Sequence, residues 1–198
     1  IDQTDTVRTC LARFYDSGGP EGEYLNLENH AVTFLPLKKD RLIQAHFEAV
    51  DVETDYDWLD IYDGTGTDAP LIGSFDSGNP PGIIKPENDS GALTFRFKSD
   101  YSITRTGWEA SITCLERYEV RFQVGVAGAR PQDIYVVVDG DTLSVDSSGR
   151  AIFHTTKGTW HYSVHARGYH VWHGKVHVSS DQVVEVNLSE ILCDVTFI

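Results

Sequence analysis

Seven carboxylates, Asp51, Glu53, Asp55, Asp57, Asp60, Asp63 and Asp68, stand between Val50 and Pro70 with no lysine or arginine among them. Side chains of one sign this close repel one another, and a hard cation bound through oxygen relieves that repulsion directly. Ca²⁺ takes about six to eight oxygen ligands from flexible surroundings, so it is the cation this run suits best. The spacing is not that of an EF-hand, because no glycine occupies the sixth loop position and no helical pattern flanks the run. The plain alternative is a solvated acidic face.

A second set of ligand-type residues lies further on. Six of the eight histidines fall between His154 and His177. On strands, His161, Ser163 and His165 share one face, as do His173, Lys175 and His177. A hairpin turning about Tyr169 sets His165 opposite His173 and His161 opposite His177, close enough to chelate Zn²⁺ or Cu²⁺. Lys175 in their midst opposes that, and a polar outer face is the simpler reading. Catalytic sets are absent: there is no Gly-x-Ser-x-Gly, no His-Glu-x-x-His and no phosphate-cradling glycine loop. Nothing in the acidic run promises a carboxyl buried among apolar residues with a raised pKa, so a glycosidase is not expected. The expected protein is not an enzyme.

The elements that carry these residues read as strands. Short apolar or alternating runs occur at Ala31–Leu37, Leu42–Val52, Trp58–Tyr62, Leu71–Phe75, Ala92–Phe97 and Trp108–Thr113, with Gly-, Asn- and Pro-rich turns between them. A second series follows at Tyr118–Val124, Ile134–Val138, Ala151–His154, Trp160–Ala166, Val171–Val178 and Val183–Leu188. The expected fold is all-β, with two antiparallel sandwich modules in tandem, residues 1–115 and 116–192. Residues 193–198 are either the last strand of the second module or the start of a further repeat.

Cys10 and Cys114 bracket the first series and are expected to form a disulfide, which implies an oxidising, extracytoplasmic setting. Cys193 is left without a partner in the sequence. The chain has 198 residues and a net charge of −14, and residues 1–115 hold 20 acidic against 9 basic side chains. That balance disfavours nucleic acid or an anionic membrane surface and favours cations or basic proteins. No apolar run is long enough to span a bilayer. The opening at Ile1 and the lack of methionine suggest a piece of a longer secreted protein whose signal peptide has been removed.

The run Cys10…Phe14-Tyr15-Asp16-Ser17-Gly18-Gly19…Glu23-Tyr24 resembles the opening of CUB domains, especially those of bacterial surface proteins. Val50-Asp51-Val52-Glu53, Tyr56 through Gly64, Leu71 through Phe75, Leu93 through Ser102, Gly107-Trp108-Glu109-Ala110 and Cys114 are similar to the landmarks that follow, in order. The resemblance implies Ca²⁺ held by Glu53, Asp57 and Asp100, with a backbone carbonyl near Ser102. It also implies an early tyrosine near the ion, for which Tyr24 is a candidate. The partner it implies is a protein offering Lys or Arg to the calcium site.

The second module, through Asp146-Ser147-Ser148-Gly149-Arg150-Ala151-Ile152-Phe153, Lys157-Gly158-Thr159-Trp160 and Arg167-Gly168-Tyr169, is similar to transthyretin-like repeats of exported bacterial proteins. The expected function is therefore that of a secreted or cell-surface binding protein, with calcium-dependent recognition in the first module and a scaffold in the second. Two alternatives stand beside it. Carbohydrate binding needs an exposed aromatic platform, for which Trp58, Tyr62, Tyr101 and Trp108 are the candidates in the first module. A structural stalk of a larger secreted enzyme needs no site at all.

Overall fold

A computed structural model describes residues 4–127 and 133–192. The chain divides into two compact units, Ile1–Glu116 and Arg117–Ile198. Every regular element among the described residues is a strand.

The first unit contains β1 (Thr4–Arg8), β2 (Leu11–Tyr15), β3 (Asn29–Leu35), β4 (Arg41–Asp51), β5 (Trp58–Asp63), β6 (Leu71–Phe75), β7 (Ile83–Ile84), β8 (Leu93–Lys98) and β9 (Gly107–Glu116). They form a five-stranded sheet in the order β1-β3-β8-β5-β6 and a four-stranded sheet in the order β2-β9-β4-β7. Alternation explains which faces meet. Trp108, Ala110 and Ile112 of β9, with Ile43, Ala45 and Phe47 of β4, are buried from one sheet; Leu93, Phe95 and Phe97 of β8, with Leu59 and Ile61 of β5, are buried from the other. Phe14 packs against Phe34, Phe95 and Trp108 with ring centroids 5.1–5.4 Å apart, the offset spacing that aromatic rings prefer. A buried hydroxyl pair, Thr33 Oγ1 and Thr94 Oγ1, is mutually satisfied at 2.7 Å.

The second unit contains β10 (Tyr118–Val126), β11 (Tyr135–Val138), β12 (Asp141–Ser144), β13 (Arg150–Thr155), β14 (Gly158–His165), β15 (Trp172–Val178) and β16 (Gln182–Leu188). Its sheets run β13-β10-β16 and β12-β11-β14-β15. Val120, Phe122, Val136, Val164, Val178 and Val186 fill its core.

The fold is all-β and most pairings among the described residues are antiparallel, as expected, but two are not. β1 pairs with β3 in parallel, and so does β10 with β16. In both pairs the strands are separated by chain that visits the other sheet, so no hairpin forces opposite directions. The tail beginning at Cys193 lies outside the described residues.

Cys10, between β1 and β2, is bonded to Cys114 of β9 with Cα atoms 4.9 Å apart. At the other end of β9, Gly107 has φ +69°, and a Cβ there would stand 1.9 Å from Asp16 Oδ2. That carboxylate is buried and accepts the Trp108 and Gly18 amides at 3.1 and 2.8 Å. Gly107→Ala combines a left-handed backbone penalty with displacement of a buried acceptor, so a loss of about 3 kcal/mol is expected in urea unfolding.

Candidate metal centre

The topology gathers distant acidic residues at one end of the first sandwich. Trp58, which opens β5, pairs with Lys98, which closes β8, and Asn29, which opens β3, pairs with the same Lys98. Asp57, Glu28 and Asp100 are therefore brought to one edge although they span much of the unit. The loops 52–57 and 99–106 each carry the chain from one sheet to the other, and Asp51 at the start of one pairs with Gly107 after the other.

One carboxylate oxygen from each of Glu53, Asp57 and Asp100 lies within 4.8 Å of the others. Asp57 is fully buried. Its Oδ2 accepts the Tyr24 hydroxyl at 2.6 Å and its Oδ1 accepts the Asp100 amide at 2.7 Å. The Tyr24 oxygen in turn accepts the Glu53 amide at 3.1 Å, so one phenol ties two of the three acids together. Burial, and then the bond to Asp57, push the Tyr24 phenol well up, and it stays a neutral donor. Asp100 is aimed by its own turn, with Oδ1 accepting the Ser102 amide at 2.8 Å. This bond uses the Ser102 amide and leaves untouched the expectation of a carbonyl ligand near Ser102.

Glu53 differs from its neighbours. Only 9% of it is exposed, and its Oε2 is buried with no hydrogen-bond partner among the described residues. Burial raises its pKa, Asp57 and Asp100 raise it further, and Arg105 offsets part of this. The sequence promised no such acid, because burial of a loop carboxyl depends on the two loops closing over it. An orphaned carboxylate oxygen beside two like charges is costly unless a cation joins them. All donors present are hard oxygens, which suit Ca²⁺ rather than softer metals.

The raised pKa has a sign that can be measured. A carboxyl raised in the folded state contributes stability that is present below its unfolded value and is lost as pH rises through the raised one. With calcium chelated, Glu53→Gln is expected to melt above the wild type at pH 7. The gap closes on acidification below about pH 4, where the glutamate is protonated in both states.

Three of the five remaining acids of the run have other partners. Asp51 accepts from Thr106 Oγ1 at 2.9 Å; Asp60 pairs with Lys98 Nζ at 2.7 Å and accepts from Ser74 at 2.6 Å; Asp63 accepts the Asn88 side-chain amide at 2.6 Å. Asp68 is exposed. Two residues not foreseen hold the loop in shape. Asp76 accepts the amides of Asp55, Gly78 and Asn79 at 3.0, 2.7 and 2.9 Å, and Ser77 Oγ accepts the Val52 amide at 2.8 Å. The run Asp76-Ser77-Gly78-Asn79 carries turn chemistry, which is the signal that could have found them.

The histidine register differs from expectation. His161 pairs with Lys175, Ser163 with His173 and Thr159 with His177. The hairpin centres on Gly168, which takes φ +86°, and not on Tyr169. Moving the centre by one residue moves every partner by two. His165 instead stacks on Tyr135 at 4.8 Å and contacts Ser163 Oγ at 2.8 Å. Among the described residues, the one group of three acid, His or Cys side chains with ligand atoms this close is that of Glu53, Asp57 and Asp100.

The aromatic platform is not assembled either. Trp108 is buried, Trp58 and Tyr62 are half-buried, and Tyr101 alone of the four is exposed. A cavity of about 400 Å³ lined by Phe14, Asp16, Phe95 and Trp108, among others, includes none of the three converging carboxylates.

Comparison with known proteins bears on the first unit. The family model described as the CUB domain matches residues 19–112. Human cubilin is 33% identical over 115 residues, which is 53% of this chain and 3% of cubilin. Human neuropilin-1 is 30% identical over 109 residues, 50% of this chain and 11% of that protein. The chain thus spans a small part of these relatives. Among solved structures, the MASP-1 CUB2 domain bound to Ca²⁺ is 18% identical with a TM-score of 0.45, covering 55% of this chain and 96% of that one. That likeness is too low to transfer a ligand.

Proposed function

From the match of residues 19–112 to the CUB-domain family model, we propose that this chain is a non-catalytic, extracellular protein-binding segment whose recognition site is organised by one Ca²⁺. Glu53, Asp57 and Asp100 would hold the ion, with a backbone carbonyl near Ser102 and water completing its shell. When bound, the ion supplies charge that binds three carboxylates into one rigid arrangement. The observation that carries the reading is the buried, unpartnered Oε2 of Glu53 beside two further acids.

The chain's own residues do the rest. Tyr24 fixes Asp57, the Asp57 carboxylate fixes the Asp100 amide, and Ser102 fixes the Asp100 side chain. Three carboxylates outweigh the charge of one divalent ion, so the centre keeps net negative character. Their outer oxygens can accept charge-assisted hydrogen bonds from a Lys or Arg of a partner protein. The second unit would act as a scaffold, the role its sequence motifs imply through their resemblance to transthyretin-like repeats.

The test is a screen against extracellular protein domains, run with calcium and with chelator. Binding that needs calcium and disappears in Asp57→Ala is expected. Binding on a glycan array and to no protein would replace this reading with carbohydrate recognition, and binding insensitive to chelator would remove the ion from the function.

A further inference from the structure

The loops that build the acidic centre also display large apolar side chains to solvent. Leu25 and Leu27 precede β3, Tyr56 immediately precedes Asp57, and Tyr101 and Ile103 flank Ser102; all five are exposed, Leu27 by 75% and Tyr101 by 78%. The backbone fastens these positions to the site. The Leu27 amide donates to the Asp100 carbonyl at 2.7 Å, and Ser99 Oγ donates to the Leu25 carbonyl at 2.6 Å. Scattered surface leucines need no explanation, but five apolar residues on three converging loops form a local concentration.

Two of them are held in a backbone conformation that disfavours them. Leu27 has φ +61° and Ile103 φ +60°. Glycine or asparagine adopts that region readily, whereas a β-branched residue there is a genuine outlier. Each side chain is thus strained in its backbone and wetted on its surface, Leu27 by 75% and Ile103 by 53%, so the fold recovers only part of their burial. Strain held beside a site is a mark of function when the surroundings enforce it. Here the enforcing contact at Leu27 is the hydrogen bond to Asp100, itself one of the three converging acids.

We infer that these residues form an apolar collar, and that the ligand of the centre is a Lys- or Arg-bearing protein segment whose neighbouring residues are apolar. The inference rests on the calcium-dependent reading above and adds the class of sequence recognised. The acids supply charge complementarity for the cation. The collar buries apolar flanks and excludes water from the ion pair, the arrangement that makes a charged contact strong. Polar flanks would leave Leu27, Tyr101 and Ile103 unburied and forfeit that gain.

The test uses the full chain, saturated with calcium, and two synthetic peptides that differ only around a central lysine: leucine and valine flanks in one, glycine and serine flanks in the other. The apolar-flanked peptide is expected to bind at least tenfold more tightly. Leu27→Asn and Ile103→Asn, which suit the left-handed backbone, are expected to raise the melting temperature, to leave the calcium titration unchanged and to reduce binding of the apolar peptide to the level of the polar one. Equal binding of the two peptides, or wild-type peptide affinity in both variants, overturns the collar while leaving the calcium reading intact. Failure of the wild type to take up calcium overturns both.

Discussion

Asp57→Ala is expected to abolish calcium-dependent stabilisation of the first unit and to weaken that unit even without calcium. With calcium at 100 times its dissociation constant, the wild type gains about 2.7 kcal/mol from the bound ion, and the variant gains nothing. In chelator a separate effect operates. Asp57 is fully buried and accepts the Tyr24 hydroxyl and the Asp100 amide, so truncation leaves one buried and one part-buried donor without their acceptor. Each such loss costs about 1–3 kcal/mol, and relief of repulsion with Glu53 returns part of it, so the net apo loss is on the order of 2 kcal/mol. Thermal melts with and without calcium separate the two contributions. Asp57→Asn keeps a side-chain oxygen and a similar shape, so it should lose calcium with a smaller apo penalty. A variant that melts like the wild type in chelator and still responds to calcium would remove Asp57 from the centre.

The largest expected effect on stability alone comes from the cross-link. Cys10 and Cys114 are 104 residues apart in sequence, so their bond closes nearly the whole first unit into one loop. In the chain-entropy account, a closure of that length stabilises by about 4–5 kcal/mol through its restriction of the unfolded chain. Replacing both cysteines with serine is expected to lower the first unit's unfolding free energy by that amount, read as a lower denaturant midpoint at an unchanged slope. A separately resolved transition of the second unit should stay in place, because that unit's core is built from its own strands. An unchanged midpoint would mean that β2 and β9 hold the two ends together as well without the bond.

Much of the strand pattern was legible because the core-facing residues alternate. β6 falls where its apolar run predicted it, and β4 and β9 begin within one residue of prediction. β2 was missed because its first residue, Leu11, lies exposed at a sheet edge and spoils the alternation. β12 was missed because Asp141–Ser144 follows Asp139-Gly140 closely enough to read as turn. The parallel pairings of β1 with β3 and of β10 with β16 could not be read at all, since no local feature relates strands that far apart in sequence.

The centre divides in the same way. Glu53 and Asp57 stood out as charge density on one loop. Asp100, 43 residues beyond Asp57, entered only through the resemblance to CUB domains, and its amide contact with Asp57 is a product of β5 pairing with β8. Nor does the sequence disclose that the Tyr24 hydroxyl bridges Asp57 and the Glu53 amide, because that requires a loop ahead of β3 to fold under two others. The histidine face shows the opposite error: the alternation was right, but a turn centred on Gly168 gave partners that residue type could not reveal.

The measurement that bears most directly on the centre is a calorimetric titration of calcium into the chelated 198-residue chain, paired with Glu53→Gln. One ion per chain for the wild type, and heat lost or strongly reduced in the variant, is the result expected from three carboxylates converging around an unpartnered buried oxygen. No heat in the wild type, with no shift of the melt at millimolar calcium, would contradict a calcium centre. The three acids would then be a repulsive cluster that the fold tolerates.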